Sequence, residues 1–89
     1  MYTIVWVPSA LDDLAEIWLR GDAAARGQIT EAAHHIDRCL RSNPADSGES
    51  REGNRRILLV PPLGVTYVFD EGQRLARVLA VWQFTTHSA

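Results

Sequence analysis

The chain has no lysine, one cysteine and one methionine among its 89 residues. A lone cysteine, Cys39, excludes an internal disulfide and leaves the redox compartment open. All nine basic residues are arginine, which reads as coding composition rather than mechanism. No apolar run approaches the roughly 18 residues of a membrane span, and no signal peptide is expected. A cytoplasmic chain with no membrane partner is expected. An excess of positive charge is also missing, since the net charge is −2. That argues against tight sequence-independent RNA binding, which depends on counterion release at many cationic contacts. Internal repeats and low-complexity tracts are absent.

What is present is an order of elements. One strand, Tyr2 to Val7, opens the chain. Pro8 and Ser9 follow, then Leu11, Leu14, Ala15 and Trp18 at the i, i+3, i+4, i+7 spacing of a helix. Helix one is expected over residues 10–20, with Ser9 as N-cap and Asp12 closing a capping-box-like start. Asp12, Asp13 and Glu16 read as N-terminal helix charges rather than a catalytic set. Gly21 suits a left-handed cap, and Asp22 caps a second helix over residues 23–41. The short connection makes the two helices an antiparallel hairpin. Ile29, Ala32, Ala33, Ile36 and Leu40 form the second apolar stripe. Gly27 inside it costs about 1 kcal/mol relative to Ala.

Residues 42–54 carry turn chemistry and are expected as a loop. Strands follow at 57–60, 65–69 and about 74–84, separated by Pro61-Pro62-Leu63-Gly64 and by a hairpin loop at 70–73, where Gly72 suits a positive φ. Val65, Tyr67 and Phe69 should share one face. Leu79-Ala80-Val81-Trp82 is apolar on both faces, the mark of a central strand covered on both sides. Helices can cover one side, and a loop, a partner or solvent meets the other. The expected fold is α+β: one domain over residues 1–89, two layers, an antiparallel sheet of about four strands, and an N-terminal helix hairpin on one face, in the order β-α-α-β-β-β. So short a chain buries only about 60–65% of its unfolded surface, so a partner that covers apolar surface adds stability.

The chemistry-bearing residues are few. Arg51, Arg55 and Arg56 gather after the loop and match phosphate or carboxylate bidentately, with a solvated strand start as the bland reading. Arg74 and Arg77 fall on opposite faces of one strand and read as edge charges. His87 is the one histidine near the basic segment and a candidate general acid, against which stands fraying near the chain end. His35 and Cys39 share a helix face at i, i+4, but two ligands do not make a metal site. The tryptophans are expected in the core.

These residues resemble a known family. A strand, then Pro8-Ser9-Ala10-Leu11-Asp12-Asp13-Leu14 opening a helix hairpin, then Tyr67-Val68-Phe69-Asp70, then Arg77-Val78-Leu79-Ala80-Val81-Trp82, resembles the RelE/ParE superfamily of type II toxin–antitoxin toxins, found among plasmid stabilisation proteins. The resemblance spans nearly the whole chain. It implies that the first strand lies beside the last and that a cognate antitoxin is the main partner; no cofactor and no metal are expected. The antitoxin would cover Leu79, Val81, Trp82 and Phe84, and Arg51, Arg55 and Arg56 would meet the target. RelE-like members look like ribosome-dependent mRNA interferases; ParE-like members inhibit DNA gyrase without a catalytic set. This chain departs from the nuclease pattern in three places. Gly64 stands where many members carry Arg. Gln83-Phe84-Thr85-Thr86 follows Trp82 in place of a basic or aromatic end. No lysine is available. The favoured expectation is therefore a ParE-like gyrase inhibitor. The alternatives are a RelE-like interferase acting on ribosome-bound mRNA, with His87 as its one candidate catalytic residue, and an attenuated toxin fold that only binds protein. A homodimer of the isolated chain is a further expectation.

Overall fold

The computed structural model describes residues 1–84. Strand β1 covers Thr3–Trp6 and helix α1 covers Pro8–Arg20. Pro8 starts the helix because its fixed φ and missing N–H suit the first helical position. The N-cap is therefore Val7, whose carbonyl accepts from the Leu11 N–H at 3.0 Å. Ser9 falls inside the first turn, so the expected Ser9–Asp12 capping box does not form.

Gly21 is extended (φ −83°), not left-handed. Arg26 does the work of that cap. Its guanidinium donates to the carbonyls of Trp18 at 2.9 Å and Leu19 at 3.2 Å, and lies 4.3 Å from the Trp18 ring centre. One cation thus satisfies orphan carbonyls at the end of α1 and ties the hairpin together. Helix α2, Ala23–Ser42, starts as expected on Asp22, which accepts from the Ala25 N–H at 2.8 Å. Ile29, Ala32, Ile36 and Leu40 are its buried stripe. A Cβ at Gly27 would meet nothing within 4 Å, so this glycine is tolerated rather than required for packing.

The segment expected as a loop holds two short elements: α3, Pro44–Ser47, and β2, Glu49–Ser50. Side chains distant in sequence order it. The Tyr67 hydroxyl donates to the Pro44 carbonyl at 2.6 Å. The Ser47 hydroxyl donates to the carbonyls of Asn43 at 2.6 Å and Cys39 at 3.1 Å.

Strands β3 (Arg56–Val60), β4 (Leu63–Asp70) and β5 (Leu75–Gln83) complete a five-stranded sheet of order β1-β5-β4-β3-β2. β2, β3, β4 and β5 pair antiparallel, whereas β1 runs parallel to β5. The helices return the chain to the far edge of the sheet at β2, antiparallel to β1, and three successive antiparallel pairings then bring β5 back beside β1 in the parallel sense. β5 is an interior strand, second from the β1 edge, but its two-faced apolar run Leu79–Trp82 lies beyond the residues that β1 pairs with, Leu75–Val78. In the β4–β5 turn the positive φ falls on Arg74 (φ 53°) and not on Gly72.

Both helices pack on one face of the sheet. Leu63, Val65 and Tyr67 of β4 and Ala76, Val78 and Val81 of β5 form one core there with the α2 stripe and Ala10 of α1, which packs over β5. A register shift makes this possible: Tyr67 faces Val78 and Thr66 faces Ala80, which leaves Leu79 as an extra residue. The bulge returns Val81 to the same face as Val78.

β1 makes its last bond to β5 from the Val7 N–H to the Val78 carbonyl at 3.1 Å. Beyond that point the central strand has an open edge. Asp13 closes it, accepting from the Val81 N–H at 3.2 Å. Asp13 is therefore a strut between α1 and β5 and not a helix-end charge. Hydrogen bonds to charged groups contribute about 1.5–3 kcal/mol. Asp13→Ala should lower the unfolding free energy by that amount in a urea melt, with the slope m unchanged.

Candidate functional site

Three outward features of this fold could carry function. The first is a groove of about 610 Å³ between α1 and α2. Helix α1 has apolar residues at Leu11, Leu14, Ala15, Ile17, Trp18 and Leu19, more than one stripe can bury. Leu14 and Ile17 pack on the core, while Leu11, Trp18 and Leu19 stay 51%, 40% and 67% exposed. Trp6, Ile29 and Ala33 form the groove floor, with His34 and Asp37 on its rim. The sequence reading put Leu11 on the same helical apolar spacing as Trp18, and placed Trp18 with the other tryptophans in the core. The breadth of the apolar set on α1 was the signal that they exceed it.

The second feature is the open face of the sheet. Strand alternation puts Val5, Val68, Ala80, Trp82, Leu59 and Ile57 on the side away from the helices. At its centre the Trp82 indole lies on Gly64. A Cβ at residue 64 would come within 2.5–2.6 Å of three indole atoms. The position where the resemblance implies Arg is therefore a glycine roofed by an aromatic ring. Trp82 covers backbone on the open face and is not a core residue. A hollow of about 500 Å³ at one end of this face has Arg77 on its wall together with the carboxylates Asp70 and Glu71, and Asn54, Val68 and Leu75 beside them.

The third is a hollow of about 630 Å³ between α2 and the β3–β4 turn, with His34, His35, Arg38, Pro61, Pro62 and Phe84 on its walls.

Arg51, Arg55 and Arg56 do not form one surface. Arg51 is exposed and pairs with Glu49 at 3.3 Å. Arg55 is exposed and makes no ion pair among the described residues. Arg56 turns to the helix side, because adjacent strand residues face opposite ways. There it is half-buried, donates to the Gly48 carbonyl, and leaves its Nε buried without a partner. Beside it Tyr67 is fully buried. Burial pushes the Tyr67 phenol above its ordinary value, against the opposing pull of the Arg56 guanidinium. Arg56 is thus an internal anchor for the α3–β2 segment, not a free target-binding group. Gly48 is required at this contact: a Cβ would sit 2.5 Å from the Ile57 carbonyl oxygen and 2.9 Å from the Tyr67 hydroxyl.

Among the residues expected to meet an antitoxin, Val81 is closed in the core. Leu79, Trp82 and Phe84 are half-buried and lie outside the core cluster. Cys39 is half-buried against the core. No group of three or more His, Cys, Asp or Glu residues able to hold a metal ion occurs among the described residues, so His35 and Cys39 gain no third ligand there. Glu16 pairs with Arg20 on the surface of α1. His87 lies outside the described residues. No helix among them is long and apolar enough to cross a membrane.

No family model matches the chain, and no curated protein does. Solved structures do. The chromosomal ParDE toxin–antitoxin system of P. aeruginosa contains a chain that superposes with a TM-score of 0.77 at 15% identity, over 96% of this chain and 98% of that one. A chain of the RelBE2 toxin–antitoxin complex of Mycobacterium tuberculosis gives 0.66 at 19%, over 92% and 96%. The isolated RelE toxin of E. coli gives 0.63 at 13%, over 98% and 88%. This chain has the RelE/ParE toxin fold over nearly its whole length.

Proposed function

We propose that the chain is the toxin component of a type II toxin–antitoxin module, a ParE-like inhibitor of DNA gyrase that acts without cleaving RNA. The observation that carries the non-nucleolytic reading is the Trp82 indole seated on Gly64. Cleavage of a phosphodiester needs a base, a proton donor and cations around the scissile group. On the described open face, the middle of the sheet offers an indole, the Thr66 hydroxyl and aliphatic side chains, while the carboxylates of Glu49 and Asp70 stand at its margins, away from Gly64. Arg77 supplies charge there and cannot serve as a base, because a guanidinium stays protonated. The similarity to chains of ParDE and RelBE2 complexes supports an antitoxin as partner.

The α1–α2 groove suits that antitoxin best. It is largely apolar and holds Leu11, Trp18 and Leu19 partly exposed along it, the kind of groove into which an amphipathic segment lays its apolar side. The open face is left for the target. The test is supercoiling of relaxed plasmid by purified DNA gyrase in the presence of the chain, with mRNA ends mapped in cells after induction. The expected result is inhibited supercoiling, relieved by the antitoxin, and transcripts without codon-position-specific cuts.

A further inference from the structure

We infer that Arg26 is a positioning residue for the antitoxin: it raises the affinity of the α1–α2 groove by fixing the Trp18 ring, without itself lining the groove. The inference rests on the proposed antitoxin role of that groove and adds what sets its affinity. Trp18 and Leu19 form part of the groove wall and lie in the last turn of α1. The last four carbonyls of a helix have no partner within it, and helix ends fray. A frayed end would carry both side chains out of place. The connection to α2 does little to prevent this. It consists of Gly21 and Asp22, and Gly21 is extended rather than left-handed. The Gly21 N–H donates to the Trp18 carbonyl at 3.2 Å.

Arg26 supplies what the connection does not. It reaches back from α2, with Nε donating to the Trp18 carbonyl at 2.9 Å and Nη2 to the Leu19 carbonyl at 3.2 Å. In the same pose the guanidinium carbon stands 4.3 Å from the centre of the Trp18 ring. The alkyl stem closes over the connection: a Cβ at Gly21 would lie 3.6 Å from the Arg26 Cγ and 3.2 Å from the Ala25 Cβ. Arg26 is half-buried and makes no ion pair among the described residues, so its charge is met by the negative end of α1 and by the ring. One rigid fork thus fixes the backbone beneath Trp18 and one face of its indole together. Lysine could not hold all three contacts, because its ammonium is a point charge without a planar fork. The remaining surface of Trp18 is exposed along the groove. Tryptophan is among the residue types most enriched at binding anchors. An anchor held in place before the partner arrives loses less freedom on binding, which is worth about two- to tenfold in affinity per side chain.

The experiment measures the dissociation constant for the antitoxin, expressed from the gene beside that of this chain, by calorimetry below the melting temperature of every variant. The variants are Arg26→Gln, Arg26→Lys, Trp18→Ala and the double variant Arg26→Gln/Trp18→Ala. Arg26→Gln should weaken binding at least about fivefold, and Arg26→Lys at least about threefold. With Trp18 already removed, adding Arg26→Gln should change binding by less than about twofold, because the two residues act as one unit. Acrylamide should quench the tryptophan emission of Arg26→Gln more strongly than that of the wild type, and the difference should vanish in the Trp18→Ala background. A miss on any of these would overturn the positioning role and leave the antitoxin reading standing. A wild-type chain that does not bind the antitoxin, or that binds it undiminished after Leu11→Asp/Leu19→Asp, would overturn the antitoxin role of the groove and the inference with it.

Discussion

Tyr67→Ala should lower the unfolding free energy by about 3–5 kcal/mol, the usual cost of deleting a buried aromatic ring. Against a domain total of about 5–15 kcal/mol, that leaves the chain close to unfolding at 37 °C. Tyr67 is fully buried at the centre of the helix–sheet interface. Its hydroxyl donates to the Pro44 carbonyl and so holds α3 against β4. Tyr67→Phe separates the two roles. It keeps the ring and leaves the buried Pro44 carbonyl without its donor, at about 1–3 kcal/mol. The same pair gives a pH test. The folded-state phenol is raised by burial, so the neutral form is the one that the fold favours. The stability it contributes is whole below the ordinary tyrosine value of about 10 and is lost as pH rises through the raised folded value. Tyr67→Phe lacks this loss. Urea melts of the two proteins between pH 8 and 11 should converge at the alkaline end.

The second large effect is expected on partner binding. Leu11→Asp/Leu19→Asp should weaken antitoxin binding by at least about a hundredfold, corresponding to two contacts of roughly 1.4 kcal/mol or more each. Both residues are exposed, so the fold should tolerate the change. Toxicity should persist and become resistant to co-expressed antitoxin. Calorimetry with purified partners measures the loss directly. Unchanged affinity would move the antitoxin away from the groove.

Much of this architecture is legible in the residues, for local reasons. The Ile29, Ala32, Ile36, Leu40 stripe and the Asp22 cap are short-range signals, and both elements formed where expected. The two-faced apolar run Leu79–Trp82 suggested a central strand; β5 is interior, but β4 holds the centre and the run itself lies past the end of β1. Other features were hidden because they depend on contacts far apart in sequence. Residues 44–50 carry turn chemistry, yet Tyr67 and Arg56 order them from across the sheet. Arg56 looked like part of a basic cluster because sequence adjacency does not show that strand neighbours face opposite ways. Arg26 replaced the left-handed cap expected at Gly21, a substitution visible only once its guanidinium is seen on the end of α1.

The candidate site was less legible than the fold. The departure at Gly64 was readable as a missing arginine. That the space is filled by Trp82 was not, since it requires the β4–β5 register. The α1–α2 groove was masked by a helix pattern that reads equally well as core. Only the packed hairpin shows that Leu14 and Ile17 turn inward while Leu11, Trp18 and Leu19 do not.

The most direct test of the central claim is the gyrase assay with the purified chain. Supercoiling of relaxed plasmid should fall as the chain is titrated in and recover on addition of the antitoxin. Full supercoiling at saturating chain, with the same preparation cutting ribosome-bound mRNA, would contradict a ParE-like mode of action.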